Sequence, residues 1–182
     1  MGARSAAREA ALQMLYAAEF GNPLPEQLIS DFWREFPGDA EGRSYADPAV
    51  RGVLADRERI DSYLIKASTN WRLERMNPIA RNVLRLGTWE LLTHPEIPRA
   101  VIIDESVEVA KRYAGTESAA FVNGVLDRIA DACGRQDEPK GKGAKAINDE
   151  PEPELAEGED DDDDEPLSGP DPATLPNGSD EP

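Results

Sequence analysis

Apolar residues recur every three or four positions through most of the chain up to residue 133. This spacing places them on one face of an α-helix, and it predicts helices over residues 4–20 and 25–36. The first helix is expected to stop at the Gly-Asn-Pro sequence of residues 21–23. The composition of residues 37–47 predicts a loop. No stretch alternates apolar and polar residues for more than a few positions, so we expect an all-α domain.

Polar residues followed by proline mark the starts of later helices. Asp47 before Pro48 predicts the beginning of a long third helix, and residues 71–75 predict a short turn or helix after it. Asn77 before Pro78 predicts a helix that reaches about residue 93. Pro98 opens a helix that ends at residues 114–115, and Thr116 is expected to cap a last helix that runs to residue 133. The domain therefore has six to seven helices.

The Asn-Gly pair at positions 123–124 permits a second interpretation. Asn-Gly between apolar pairs is a hairpin signal. The apolar period continues to Cys133, which favours a helix despite the cost of about 1 kcal/mol for an internal glycine. Gly124 itself has two open explanations, which are close helix packing and close approach of a ligand to the backbone beside Asn123.

Charge divides the chain into two parts. The full sequence has 37 acidic and 20 basic residues, a formal net charge of −17. Residues 1–137 carry a net charge of −4, and residues 138–182 carry −13 and include an acidic run at 159–165. The second part has no aromatic residue and many prolines and glycines, so we expect it to be disordered. The expected folded domain spans residues 1–137.

Several classes of function are disfavoured by what the sequence lacks. It has no phosphate-binding loop, no dinucleotide fingerprint and no nucleophile elbow. A single cysteine, Cys133, and a single histidine, His94, exclude disulfide frameworks and multi-Cys or His-pair metal sites. Asp104, Glu105 and Glu108 are better explained as a solvated helix start than as catalytic carboxylates. We expect no enzyme activity and no cofactor. No apolar run approaches the ~18 residues of a membrane span, and no signal peptide is evident, so a cytoplasmic location is expected.

Basic residues near the N-terminus are more informative. Arg4 and Arg8 lie one helical turn apart, with Tyr16 further along roughly the same side. Guanidinium groups pair with phosphates and exposed aromatic rings stack on unpaired bases, which is typical of RNA binding. A plain solvated helix face explains the same pattern.

Four stretches, in order, resemble the NusB family of transcription antitermination factors. They are REAALQMLY at 8–16, WRLERM at 71–76 with RNVLRLGTWEL at 81–91, IPRAVIIDESVEVAK at 97–111, and FVNGVLD at 121–127. The resemblance covers residues 4–133. It implies two packed helical bundles and binding of boxA RNA in nascent ribosomal RNA leaders. It also implies a partnership with the ribosomal protein that acts as NusE, and assembly with RNA polymerase and other Nus factors to prevent premature termination.

The resemblance also suggests which residues bind. It implies RNA binding by the N-terminal segment, by the first helix and by the segment near residue 121. The RNA-binding residues so implied are Arg4, Arg8, Gln13, Tyr16, Lys111, Phe121 and Asn123. Glu74 is an expected contact for the basic protein NusE.

The chain departs from the family pattern in three places. Ser5, Ala6 and Ala7 separate the N-terminal arginines, so we expect weaker intrinsic RNA affinity. Ala80 stands where an acidic residue is common, which bears on the NusE contact. Residues 138–182 are additional to the family domain, and two roles are open for them, competition with nonspecific RNA and solubility.

Four other interpretations remain to be weighed. A non-catalytic helical adaptor that binds proteins is an alternative that the domain charge of −4 favours. NusB-like domains also precede RNA methyltransferase domains, but here an acidic segment follows instead. The resemblance further allows a homodimer that hides the RNA face. A role in ribosome assembly would use the same RNA-binding surface as antitermination.

Overall fold

The computed structural model describes residues 2–21, 23–69 and 71–135. These residues form seven α-helices and one 3₁₀ turn, at Leu73–Arg75, and contain no strand. The helices are α1 Ala3–Ala18, α2 Pro25–Glu35, α3 Ala40–Ala55, α4 Arg57–Ala67, α5 Pro78–Thr93, α6 Arg99–Ala114 and α7 Thr116–Ala132. The expected all-α class is confirmed.

Helix α5 is the centre of the domain. Every residue from 82 to 91 is buried, because α5 packs against α1, α3, α4, α6 and α7. One bundle forms around α1, α2 and α3, and the other around α4, α6 and α7, with α5 common to both. Gly87 allows one close approach, since a Cβ there would lie 2.9 Å from both Leu126 Cδ1 and Ser106 Oγ.

The region predicted as a loop before Asp47 is helical. α3 begins at Ala40, and the side chain of Asp39 caps it by accepting a 2.6 Å hydrogen bond from the Gly42 backbone nitrogen. Pro48 lies inside this helix rather than at its start. Burial of Ala46 and of residues further along the same face outweighs the loop-like composition.

The long third helix is in fact two helices. α3 ends at Ala55, and α4 begins at Arg57. The break is at Asp56, whose backbone angles of φ −99° and ψ 19° depart from helical values. The apolar period continues across the break, so sequence spacing alone does not reveal it.

The predicted cap of α5 is confirmed, whereas the predicted cap of α7 is wrong by one residue. The Asn77 side chain caps α5 by accepting a 2.8 Å hydrogen bond from the Ile79 backbone nitrogen. Thr116 is the first residue of α7 rather than its cap, and Gly115 (φ 88°) makes the turn between α6 and α7. α7 is continuous through residues 121–126, so the hairpin interpretation is wrong.

Two further sequence predictions concern the acidic C-terminal segment and membrane-spanning helices. The acidic segment 138–182 lies outside the described residues, so its expected disorder stays a prediction. Within the described residues, no helix combines the length and apolar character needed to cross a lipid bilayer.

Candidate nucleic-acid interface

The two arginines at the start of α1 occupy opposite environments. Arg4 is exposed, whereas Arg8 is only 3% exposed. The Arg8 guanidinium donates hydrogen bonds to Glu90 (2.9 Å) and to Glu105 (3.2 Å). The expectation that Arg8 holds phosphate at the surface therefore does not fit its placement, because the hydrogen bonds a phosphate would use are directed into the core.

Arg8 belongs to a buried polar network that joins four helices, α1, α3, α5 and α6. Glu90 on α5 is fully buried and also accepts a hydrogen bond from the Tyr45 hydroxyl. Burial raises the pKa of the Glu90 carboxyl, and the charge of Arg8 opposes that rise. On the α6 side, Ser5 Oγ donates a 2.7 Å hydrogen bond to Glu105. The network fixes the first turns of α1 against α5 and α6 and so determines where Arg4 is presented.

Lys111 lies on α6, next in sequence to two residues that contact α1. It is exposed and precedes Arg112, which forms an ion pair with Glu9 of α1. Tyr113, 39% exposed, donates a 2.9 Å hydrogen bond to the same carboxylate. Sequence reasoning did not select Tyr113, although an aromatic residue beside two cations was a usable signal. Arg4 and Lys111 both lack a carboxylate within ion-pair distance among the described residues.

Gln13 and Tyr16 lie further along α1. Gln13 is exposed at the edge of a groove between α1 and α2, next to Leu28. Tyr16 is 38% exposed and packs edge to face against Phe20, with 5.1 Å between ring centroids. We group Arg4, Gln13, Tyr16, Lys111 and Tyr113 under the name α1–α6 patch, although the helical period places Arg4 and Gln13 on opposite sides of α1, so a ligand that contacts both must wrap around that helix.

A second patch lies on α7. The Phe121 ring is half-buried, 5.9 Å from the ring of Trp71, at a groove of about 220 Å³ that Met76 and Ala80 also line. Asn123 is exposed. A Cβ added to Gly124 would meet nothing within 4 Å, so the packing explanation for this glycine is wrong and the surface over it is open. We define the α7 patch as Trp71, Phe121, Asn123 and Gly124.

The structure does not join the two patches directly. Within residues 2–21 and 71–135, no hydrogen bond, ion pair or ring contact links Phe121 or Asn123 to the predicted residues of α1. Glu74, the expected NusE contact, is exposed in the 3₁₀ turn between α4 and α5. A single ligand would have to be long enough to span both patches.

Two arginines of α5 are largely internal. Arg81 and Arg85 each form a 2.7 Å ion pair with Glu19 of α1, and Arg85 also pairs with Asp61. Burial opposes ionisation of Glu19, but the hydrogen bond and charge of Arg81 prevail and lower its pKa. These arginines hold helices together and do not contribute to a binding surface.

Metal-binding and thiol chemistry find little support. No group of three or more His, Cys, Asp or Glu side chains in the described part of the chain is arranged to hold a metal ion. His94 packs against Trp89 and bonds to Glu96. Burial raises the pKa of the Cys133 thiol, which disfavours the nucleophilic thiolate.

Comparison with known proteins agrees with this architecture. Transcription antitermination protein NusB of Sorangium cellulosum is 61% identical over 140 residues, which is 77% of this chain and all of that protein. A structure of T. maritima NusB is 38% identical with a TM-score of 0.65, covering 70% of this chain and 90% of that one. A crystal structure of antitermination factors NusB and NusE in complex with dsRNA is 29% identical with a TM-score of 0.66, covering 71% and 97%. Residues 5–131 match the NusB family model, and the chain belongs to the NusB family.

Proposed function

We propose that this protein is a transcription antitermination factor that binds RNA together with NusE. One structural observation carries the proposal: Arg4 and Lys111 are exposed, form no ion pair among the described residues and lie on helices joined by the Glu9–Arg112 ion pair. The chain's 61% identity with a NusB protein and its similarity to a NusB–NusE–RNA complex supply the partners.

In this proposal the α1–α6 patch binds the RNA backbone. The cations of Arg4 and Lys111 attract phosphates and release counterions from the RNA. The exposed rings of Tyr16 and Tyr113 provide stacking surfaces for unpaired bases, and Gln13 supplies both a donor and an acceptor. Arg8 acts as a positioning residue, since its bonds to Glu90 and Glu105 hold α1 in place.

The α7 patch reads bases in the same proposal. Asn123 carries an amide that can donate and accept at a base edge, and Phe121 beside Trp71 offers an aromatic platform. The open surface over Gly124 lets the ligand approach the helix backbone. An RNA several nucleotides long would reach both patches.

NusE is proposed to bind near Glu74. This exposed carboxylate attracts a basic protein. Ala80 and Phe121 line the neighbouring groove. Because Ala80 is apolar, that part of the NusE contact carries no charge. The NusE surface and the RNA surface would then meet at the α7 patch.

Finer elements of the proposal rest on family membership. The RNA is boxA of nascent ribosomal RNA leaders, and the complex joins RNA polymerase with other Nus factors in the cytoplasm. In this proposal the protein acts by binding, so no reaction is catalysed and no cofactor is needed.

A homodimer that covers the α1–α6 patch would oppose RNA binding. Size-exclusion chromatography with and without RNA would detect it.

A protein-binding adaptor is the second candidate, which the domain charge of −4 favours. Binding of a boxA RNA and a scrambled RNA, each with and without NusE, separates the two candidates. Preference for boxA that NusE strengthens supports the antitermination factor. Equal, weak binding of both RNAs in the presence of NusE would contradict it.

A further inference from the structure

A broad groove between α4 and α7 lies outside the site just described. It has a volume of about 710 Å³. Three cationic side chains line it, Arg59 and Lys66 from α4 and Arg128 from α7. The rest of the lining is uncharged and includes Tyr63 and Ile129. None of the described residues that line it is acidic, although residues 1–137 carry a net negative charge. The groove therefore concentrates positive charge on an otherwise acidic domain.

Most other cations of the domain form ion pairs with carboxylates, whereas two of these three, Lys66 and Arg128, form none among the described residues. Lys66 is exposed and has no ion pair among the described residues. Arg128 is exposed and donates a 2.8 Å hydrogen bond to the Ala67 backbone oxygen, which leaves its charge uncompensated. Arg59 has one loose, exposed pair with Asp56 at 3.8 Å. Exposed pairs of this kind hold little energy, so Arg59 is available to an anion.

The groove is continuous with the α7 patch. Phe121 and Arg128 are seven residues apart on one helix, which places them on the same face about 10 Å apart along its axis. Thr69 lines both this groove and the next depression, and Trp71 lines that depression and the groove at Phe121. Arg72, exposed and without an ion pair among the described residues, lies along the same route.

We propose that the α4–α7 groove is an extension of the RNA-binding surface, in which Lys66, Arg128 and Arg59 hold the phosphate backbone of nucleotides flanking those at Phe121. The proposal rests on the proposed function. Three clustered cations without an acidic neighbour suit a polyanion, and continuity with an aromatic platform favours RNA over an acidic peptide. The axial distance of about 10 Å between Phe121 and Arg128 is short enough for adjoining nucleotides of one strand to contact both residues. Binding there is independent of base sequence, because phosphates carry no sequence information.

The chain offers a direct test, because Lys66 and Lys111 are the two lysines in residues 1–137. Amine acetylation of the full-length protein, read by mass spectrometry, reports on both surfaces at once. The probes are a core boxA RNA and the same RNA extended by six uridines at either end. The core RNA should protect Lys111 alone. One of the two extended RNAs should protect Lys66 as well.

Affinity measurements complete the test. The extended RNA should bind more tightly than the core, with a salt dependence steeper by about 2, since each phosphate contact contributes about 0.7 for a single strand. Lys66→Gln should reduce that slope by about 0.7 and remove part of the gain. It breaks no hydrogen bond of the described structure, unlike a change at Arg128. Arg34→Gln on α2, which removes an exposed charge elsewhere, should leave the gain intact.

The outcomes separate the two proposals. If Lys111 is protected but Lys66 reacts freely with every RNA, and extension adds no affinity, the groove proposal is overturned while the proposed function stands. If neither lysine is protected by any RNA, with or without NusE, both are overturned. Protection of Lys66 by a polyglutamate peptide and not by RNA would assign the groove to an acidic protein partner instead.

Discussion

The substitution Gly124→Ala separates folding from binding more cleanly than other changes in the α7 patch. Alanine is favoured over glycine inside a helix by about 0.5–1 kcal/mol. Gly124 lies in the middle of α7 and has nothing within 4 Å of the position its Cβ would take, so none of that gain is lost to a clash. The variant should therefore be more stable, with a melting temperature raised by about 2–4 °C.

RNA binding should change in the opposite direction. If the ligand approaches the helix backbone beside Asn123, a methyl group on residue 124 prevents the closest contact. Overpacking of that size costs about 1–2 kcal/mol, which corresponds to roughly a tenfold weaker complex. Thermal unfolding by circular dichroism and fluorescence anisotropy with a labelled RNA measure the two effects on the same sample.

Gly87→Ala is the matched control. Its Cβ would lie 2.9 Å from Leu126 Cδ1 and Ser106 Oγ, so it should destabilise the fold by about 1–3 kcal/mol. A stabilised Gly124→Ala variant that binds RNA like the wild type would refute the role of the open surface. A destabilised one would show that the position is packed and would contradict the structure itself.

Three further perturbations test the account. Arg4→Gln should leave the melting temperature unchanged and weaken RNA binding. Arg8→Gln should instead lower the free energy of unfolding by about 3–5 kcal/mol, because it leaves the buried carboxylate of Glu90 unpaired. Unfolding curves and RNA-binding curves of the two variants measure both effects. Folding lowers the pKa of Glu19 from its ordinary value of 4.5, so the ionised carboxylate stabilises the fold at pH values above 4.5. This stabilisation is lost as the pH falls from 4.5 through the lowered pKa. Glu19→Gln should lower stability at pH 7 by about 3 kcal/mol and flatten the acid denaturation curve, while the exposed Glu26→Gln should do neither. Removal of residues 138–182 changes the net charge from −17 to −4 and should tighten binding to a scrambled RNA at low salt. Unchanged affinity would contradict competition with RNA and would indicate that this segment serves solubility.

Elements with strong local signals were predictable from the sequence. The Asn77-Pro78 start of α5 depends on a side-chain cap and a fixed proline angle, both of which act within one turn. The continuity of α7 follows from an apolar period long enough to override an Asn-Gly pair. The start of α3 did not follow, because burial of Ala46 by other helices is a tertiary effect that local composition cannot report.

The candidate site was predictable only in part, for a similar reason. A helical period places Arg4 and Arg8 one turn apart but does not say which of them faces the core. Arg8 is internal because a carboxylate 82 residues away in sequence, that of Glu90, lies beside it. The groove at Lys66 and Arg128 likewise depends on the packing of α4 against α7, and no sequence motif predicts that packing.

The most direct test of the central claim is a salt titration of RNA binding by the full chain, with boxA RNA and a scrambled control, in the presence and absence of NusE. We expect a preference for boxA, tighter binding with NusE, and an affinity that falls with salt by a slope of a few phosphates. Equal affinity for the two RNAs under all conditions would contradict the account and indicate a helical adaptor that does not recognise RNA sequence.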